Sequence, residues 1–406
     1  MSKKCILAYT ALYVDPDGNV RPCCVAAPFK DTLNWNDYET IPELYNAPQM
    51  RELRKSMEEG NPLSVCDICF KGGNPLMPYW NKRWESKLND PNLIDSDYNI
   101  KSLHYLDARF SNLCNLKCRM CGPGLSSSWY EDAIALDGEA AEYAIKTIEI
   151  QKPKDNPVSK FTDEDIVNIE YMNVGGGEPF ITKDFYTLLS RFTDEHASKI
   201  SMYINSNLST FSYKGINVLN ELARFKEVVI GCSCDGYGKV GEYQRTGFNS
   251  DRFFNNLNNL IQFSKEHTNI IPSIEYTITS MNLFHIFDFI DYVTANTELN
   301  EYNIHFHWAS TPYFFAPATA PDSLKARFIS YIEENLKTRD TSSTSSQSLL
   351  QFLQHMKLEK TDIENLSEYR RNVKHFIETL DKQRGDSYKD VCPWLDEIIY
   401  HEMNKI

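Results

Sequence analysis

Residues 111–123 read Ser111-Asn112-Leu113-Cys114-Asn115-Leu116-Lys117-Cys118-Arg119-Met120-Cys121-Gly122-Pro123. The three thiols have a C-x3-C-x2-C spacing, close enough for one short loop to wrap a single metal centre. Soft thiolates suit iron, and a four-iron, four-sulfur cluster needs a ligand on each iron, so a three-cysteine loop leaves one iron without a local protein ligand. That iron is open to chemistry. On spacing alone, a zinc knuckle short of a nearby fourth ligand, or three unrelated buried thiols, shares the pattern.

At 406 residues and 47.0 kDa the chain is long enough for one large core, or one core and a smaller domain. Hydrophobic residues make up 42% and charged residues 24%, as in a soluble globular protein. The net charge of −14 disfavours a groove that tracks double-stranded nucleic acid, so no such partner is expected. No long apolar stretch precedes Asp15 and no run of eighteen apolar residues occurs, so a cytoplasmic protein without a membrane partner is expected. All of the eleven cysteines except Cys392 fall before residue 235, many in tight groups. That distribution argues for metal ligation over disulfides and for sensitivity to oxygen.

Residues 1–90 form a first unit. Ala11–Val14 and Val20 flank the turn Asp15-Pro-Asp-Gly-Asn19, which predicts a small hairpin that delivers Cys23 and Cys24. Pro42 opens a helix whose apolar face is Leu44, Met50, Leu53 and Met57, and Gly60-Asn-Pro62 stops it before Cys66-x2-Cys69. Cys5, Cys23, Cys66 and Cys69 thus make a second metal site of four thiolates, with Cys24 the alternative to Cys23 and a zinc knuckle the alternative to an iron-sulfur cluster.

Leu103–Phe110 predicts the first core strand, with the cysteine loop at its carboxyl end, where parallel α/β sheets place ligands. Helices are expected over Ser126–Leu136 and Ala140–Ile150. A second strand, Ile169–Val174, ends in Gly175-Gly176-Gly177-Glu178-Pro179; the glycines let backbone approach a ligand, and the carboxylate of Glu178 suits an ammonium. The third strand, Lys199–Asn207, finishes in Asn205 and Asn207, suited to ribose hydroxyls or to strand-end capping. In the fourth, Val228–Gly236, alternation puts Cys232 and Cys234 on one face and Ser233 and Asp235 on the other. Pro272–Thr279 and Asn303–Trp308 complete six strands, and His305 and His307 share one face of the last. Leu324–Leu336 and Leu358–Leu380 read as helices, and Thr341–Ser348 between them as a weakly ordered polar loop.

Together, Cys114, Cys118, Cys121 and the Gly-Gly-Glu-Pro stretch resemble the signatures of the radical S-adenosylmethionine enzymes. Cys5, Tyr13–Cys24, Leu44–Asn46, Leu53-Arg54 and Cys66-x2-Cys69 resemble the auxiliary-cluster modules called SPASM and twitch domains, here placed ahead of the core. The resemblance implies two [4Fe-4S] clusters and S-adenosylmethionine as cofactors. In that family the amino and carboxylate groups of S-adenosylmethionine chelate the open iron, and an electron from the cluster cleaves the sulfonium to a 5'-deoxyadenosyl radical. Carried onto this chain, Glu178 holds the methionine amine and Arg245, in Tyr243-Gln-Arg245-Thr-Gly247, its carboxylate. Met120, Gly176, Gly177, Pro179, Asn205, Asn207, Ser233, Asp235 and Asn282 complete the cofactor shell, and His305, His307 and Tyr313 line the substrate.

The fold expected is α/β: a partial (β/α)6 TIM-like barrel over residues 100–320, an iron-sulfur module over 1–90 and a helical extension over 321–406. The activity expected is hydrogen abstraction from a small molecule, ending in oxidation or dehydrogenation, with a flavodoxin or ferredoxin as reductant. A peptide-modifying maturase forming a crosslink, a redox-neutral epimerase and a non-enzymatic iron-sulfur electron carrier are the alternatives.

Overall fold

The computed structural model describes residues 4–72, 74–154, 156–309, 312, 315–358 and 366–400. The chain divides into two compact units, one of Met1–Leu113, Ile145–Ile204 and Ser212–Val228, the other of Cys114–Ala144, Asn205–Phe211 and Val229–Ile406. A largely parallel β-sheet flanked by helices, followed by a helical carboxyl-terminal region, is the architecture.

In the first unit the turn at residues 15–19 forms as its residue types require. Gly18 has φ +80°, and a side chain there would begin 2.2 Å from the Gln151 carbonyl oxygen. The flanking strands β1 (Ala11–Val14) and β2 (Val20–Arg21) pair antiparallel. β1 also pairs in parallel with β3 (Tyr105–Ala108), so the hairpin expected within a separate amino-terminal unit joins the core sheet. β3 pairs in parallel with β4 (Tyr171–Val174), and β4 with β5 (Ser201–Ser206). The single helix expected from Pro42 is two, Ile41–Tyr45 and Pro48–Glu58, because Pro48 lacks the N–H that would continue the first and starts the second instead.

In the second unit β6 (Glu227–Ser233), β7 (Ile270–Ile278) and β8 (Ile304–Trp308) are neighbours in that order, with β7 and β8 parallel. All six predicted core strands are present as β3 to β8. Ile274, Tyr276 and Ile278 are buried, and the Tyr276 ring packs on Phe289 and Phe306 at 4.9 and 5.2 Å between centroids. Asp322–Leu336, Thr344–Leu358 and Leu366–Arg384 are helices.

The polar run at 341–348 is a correction to the expected loose loop. Ser343, Ser345 and Ser346 are fully buried, and a helix starts at Thr344. The Ser343 hydroxyl accepts from the Ser346 N–H and donates to Glu301 Oε2 at 3.1 Å, so the serines supply helix capping.

Arg54 holds the first unit's amino-terminal half. It is fully buried, and its guanidinium donates to the carbonyls of Ala8 (2.9 Å), Tyr98 (2.9 Å) and Tyr45 and to Asn46 Oδ1 (3.1 Å). Arg54→Met is expected to cost about 3 kcal/mol or more, because several buried acceptors lose a charged donor at once. Urea denaturation of the cluster-free protein measures this, and a loss under about 1 kcal/mol contradicts it.

Candidate metal and cofactor site

In the first unit the glycine motif is built against the residues that lead into the cysteine loop. The N–H groups of Gly177 and Glu178 donate to the carbonyls of Ser111 and Leu113, each at 2.8 Å. Gly176 has φ +103°, and a side chain at Gly177 would begin 2.2 Å from the Leu113 carbonyl oxygen. The glycines are therefore required for this close backbone approach. Glu178 is buried, and its Oε1 accepts from the Phe180 N–H at 3.1 Å, capping the turn Pro179–Ile181; Pro179 is the first residue of that turn.

In the second unit Cys118 is buried and Cys114 and Cys121 are half-buried. A hydrogen bond from Cys121 holds the Cys118 thiol below its ordinary value, helped by the Arg245 charge, and the same bond pushes Cys121 up. One thiolate of the pair is thus favoured and the second disfavoured until a cation shares the charge. Asn207 Nδ2 donates to Asn115 Oδ1 at 2.9 Å and lies 3.9 Å from Cys114 Sγ, while its Oδ1 accepts from the Ser209 N–H. Arg245 Nη1 lies 3.7 Å from Cys118 Sγ, and Nε donates to Asp235 Oδ2 at 2.6 Å. Residues 245–246 and 117–118 form a short antiparallel ribbon that sets this approach.

Asp235 is fully buried and also accepts from the Thr277 N–H at 2.7 Å. Asn282, expected near the cofactor, is fully buried: its Nδ2 donates to the carbonyls of Asp235 and Thr277, and its Oδ1 accepts from the Thr279 N–H. Its amide fixes the backbone around Asp235. Met120, Asn205 and Ser233 are half-buried. Cys232 and Cys234 are fully buried and their thiols donate to the carbonyls of Ile230 and Gly236.

Cys5, Cys23, Cys66 and Cys69 lie in one another's electrostatic field in the first unit. Burial, with the neighbouring thiols adding to it, pushes Cys5 to about 11, Cys23 to about 12 and Cys66 higher still, and burial raises Cys69. Cys24 lies in the field of Asp107, of Cys23 and of Arg109, and burial pushes its thiol up to about 12. Among the described residues no three His, Cys, Asp or Glu side chains close around a single metal ion. Zinc at about 2.3 Å from each sulfur would draw its ligands tightly together.

Residues 5–70 match the SPASM family, described as an iron-sulfur cluster-binding domain. The chain thus carries a SPASM iron-sulfur cluster-binding module at residues 5–70. No curated protein matches it. Among solved structures it is similar to native anSMEcpe with bound AdoMet and Cp18Cys peptide, at 15% identity over 58% of this chain and 62% of that chain, TM-score 0.33. It is also similar to Streptococcus suis SuiB bound to precursor peptide SuiA, at 13% identity over 75% of this chain and 66% of that chain, TM-score 0.35. A third is TYW1 with a lysine-pyruvate adduct bound, at 12% identity over 58% and 72%, TM-score 0.30. The chain thus spans 62% of the anSMEcpe chain and 66% of the SuiB chain.

Two features went unseen in the sequence. The first is a clasp on the cysteine loop made by residues 381–386. Arg119, between Cys118 and Cys121, is fully buried; its Nη2 donates to Asp381 (2.7 Å) and Asp386 (2.9 Å), its Nε to the Tyr243 carbonyl (2.9 Å), and its guanidinium stacks 3.7 Å from the Tyr243 ring centroid. Arg384 donates to Asp132 at 3.0 Å and covers Trp129, whose Nε1 donates to the Cys118 carbonyl at 2.8 Å. Asp381 also accepts from Tyr243 Oη and the Tyr388 N–H. Cys392 is buried in the field of Arg119 and Asp381. No spacing links residue 119 to 381, so only the fold reveals the pair.

The second is Glu275, whose Oε2 lies 2.6 Å from His307 Nε2 and whose Oε1 accepts from Ser273 at 2.8 Å. His305 is half-buried beside it in the register, opposite Glu275, and Tyr313 lies outside the described residues.

Asp381→Asn is expected to speed alkylation of Cys118 in the cluster-free protein by about tenfold or more, since local opening becomes at least about 1.4 kcal/mol easier. Peptide mass mapping after iodoacetamide treatment reads this, with buried Cys232 as the control for global unfolding; equal rates at Cys118 remove the clasp.

The Glu275 bond raises the His307 pKa above the ordinary 6.5. The pair's contribution is therefore complete below the ordinary value and lost as pH rises through the raised one. Imidazole NMR titration is expected to show His307 titrating above 6.5, falling to that value or lower in Glu275→Gln. An unchanged titration in the variant contradicts the pairing.

Proposed function

We propose that this protein is a radical S-adenosylmethionine enzyme that abstracts hydrogen from a peptide, with a partial (β/α)6 barrel over residues 100–320, the auxiliary module over 1–90 and a helical extension over 321–406. The observation that carries the reading is the set of residues around the cysteine loop: Asn207 at Cys114, Arg245 at Cys118, and the Arg119 anchor behind both. An electron carrier needs thiolates, but has no use for a glycine-rich turn held by two hydrogen bonds against the approach to that loop.

When bound, a [4Fe-4S] cluster on Cys114, Cys118 and Cys121 supplies one-electron reduction of S-adenosylmethionine. A second cluster on Cys5, Cys23, Cys66 and Cys69 is assigned to the SPASM module. The chain's own part is positioning. Gly176 and Gly177 bring backbone close to the ligand, Glu178 offers a carboxylate to the methionine ammonium, and Arg245 offers its terminal nitrogens to the carboxylate while Asp235 holds its Nε. Asn207, Asn205 and Ser233 supply polar groups to the ribose; Asn282 holds Asp235 in place. His307, oriented by Glu275, stands ready to take or give a proton at Nε2 on the substrate side.

A peptide replaces the small molecule favoured on sequence. Peptide modification was the alternative there, and anSMEcpe and SuiB were both solved with peptides bound. The reductant proposed is a flavodoxin or ferredoxin. Two-electron oxidation is the proposed outcome, since Cys232 and Cys234 are fully buried and bonded to their own backbone. Epimerisation is the second reading, favoured by the Cys24 thiol beside Asp107 and Arg109.

Anaerobic reconstitution is expected to load about eight iron and eight sulfide per chain, and the reduced protein to release 5'-deoxyadenosine from S-adenosylmethionine. Cys118→Ala should abolish that release while keeping the SPASM cluster. Absence of 5'-deoxyadenosine from the loaded wild type rejects the enzyme in favour of the carrier. Turnover of a candidate peptide in deuterated water then separates the outcomes: a product two hydrogens lighter supports oxidation, and one solvent deuterium at unchanged mass otherwise supports epimerisation.

A further inference from the structure

Resting on the reading above, the geometry points to Arg109 and Asn173 as a receptor for a substrate carboxylate next to an N–H group. Arg109 directly follows β3, at the carboxyl end of a parallel strand, where such sheets present ligands. Its guanidinium is pinned on three sides. Nε donates to Asp107 Oδ1 at 3.0 Å, the Tyr13 ring centroid lies 5.1 Å from Cζ, and a side chain added at Gly175 would begin 3.6 Å from Cζ, so the group lies against bare backbone.

The row is built by register: Tyr13 pairs with Asp107, and Asp107 with Asn173, across β1, β3 and β4. Asp107 is buried, and its second oxygen accepts from Asn173 Nδ2 at 2.9 Å. Both carboxylate oxygens are thereby engaged, and the guanidinium cannot swing away without breaking the pair.

What this leaves over is the useful part. Among the described residues no hydrogen bond uses Arg109 Nη1 or Nη2, and the side chain keeps 23% exposure. Neutralising Asp107 requires one N–H; a fixed planar fork with both terminal nitrogens unspent matches a carboxylate through two parallel bonds. Asn173 adds a second specification. Donation to a carboxylate fixes which way its amide points, and its Oδ1 is buried with no hydrogen-bond partner, so it lacks a donor. A ligand that brings an anionic oxygen pair and a nearby N–H satisfies both, as an acidic residue or the last residue of a peptide does.

Two substrate carboxylates have this chemistry, a peptide's terminal group and an acidic side chain; the methionine end of S-adenosylmethionine, given to Arg245 above, is the cofactor control. The full chain, reconstituted anaerobically, is titrated by calorimetry and ligand-observed NMR with N-acetylglycine, with N-acetylglutamate α-amide and with S-adenosylmethionine. N-acetylglycinamide and N-acetylglutamine amide serve as uncharged counterparts of the first two.

At least one of the two substrate probes is expected to bind and to weaken by about tenfold or more in Arg109→Gln, the scale of a lost charge-assisted bond. A loss confined to S-adenosylmethionine overturns the substrate receptor. Arg109→Lys keeps the charge on Asp107 and loses the fork, so it is expected to weaken the same probe without lowering the melting temperature. The probe that responds names the source of the carboxylate. Equal binding of all probes by wild type and both variants, or wild-type binding no tighter for carboxylates than for amides, overturns the receptor. Release of 5'-deoxyadenosine is read separately: its absence with carboxylate binding intact removes the reaction and leaves the receptor standing.

Discussion

A loop that carries Cys114, Cys118 and Cys121 within eight residues makes little regular structure of its own and must be held from outside. Much of the second unit answers that constraint. Arg119, fully buried, turns its guanidinium onto two half-buried carboxylates, Trp129 takes up the Cys118 carbonyl, Ser128 takes up that of Cys114, and a two-residue ribbon brings Arg245 to the Cys118 sulfur. The helix Leu366–Arg384 and the turn after it supply Asp381, Arg384 and Asp386, so a region far away in sequence holds the loop. Removing one partner of a buried pair costs more than the pair contributes, which makes such an anchor effective at holding one geometry.

Charge follows the same logic. Cys5, Cys23 and Cys66 resist ionisation, each raised by burial and by neighbouring thiols, burial raises Cys69, and the bond between Cys118 and Cys121 lowers the first and raises the second. Metal binding requires the thiolates, so occupation and deprotonation are one event, and the free energy of binding becomes folding free energy for the segments that carry them. The carbonyls gathered by Arg54 show the complementary solution. There a permanent cation, not a metal, satisfies a buried cluster of acceptors.

The legible parts of the fold were those written in periodicity. β3 to β8 appear where alternation and apolar runs placed them, and the turn at Gly18 where its residue types did. What escaped depends on partners remote in sequence. Ser343, Ser345 and Ser346 read as low complexity until Glu301 is seen to receive them. Arg119 reads as one more surface cation inside a motif, and Glu275 as the polar half of an alternating strand. Motifs single out Glu178 and Arg245 as candidates; the residues that hold them in place have no motif to name them.

The amino-terminal position of the SPASM module has a simple structural account. β1 lies parallel and in register with β3, Tyr13 opposite Asp107 and Val14 opposite Ala108, so the segment that follows β1 emerges at the same strand end from which residues 109–113 lead into the cysteine loop. Cys24 then comes beside Asp107 and Arg109 although some eighty residues of chain intervene. A parallel neighbour needs a long crossover, and residues 22–104 provide it, carrying the thiols of the module along the way. Placement of the module before or after the core is therefore a question of which strand it rides on, and here the first strand of the chain does the work of bringing it alongside β3.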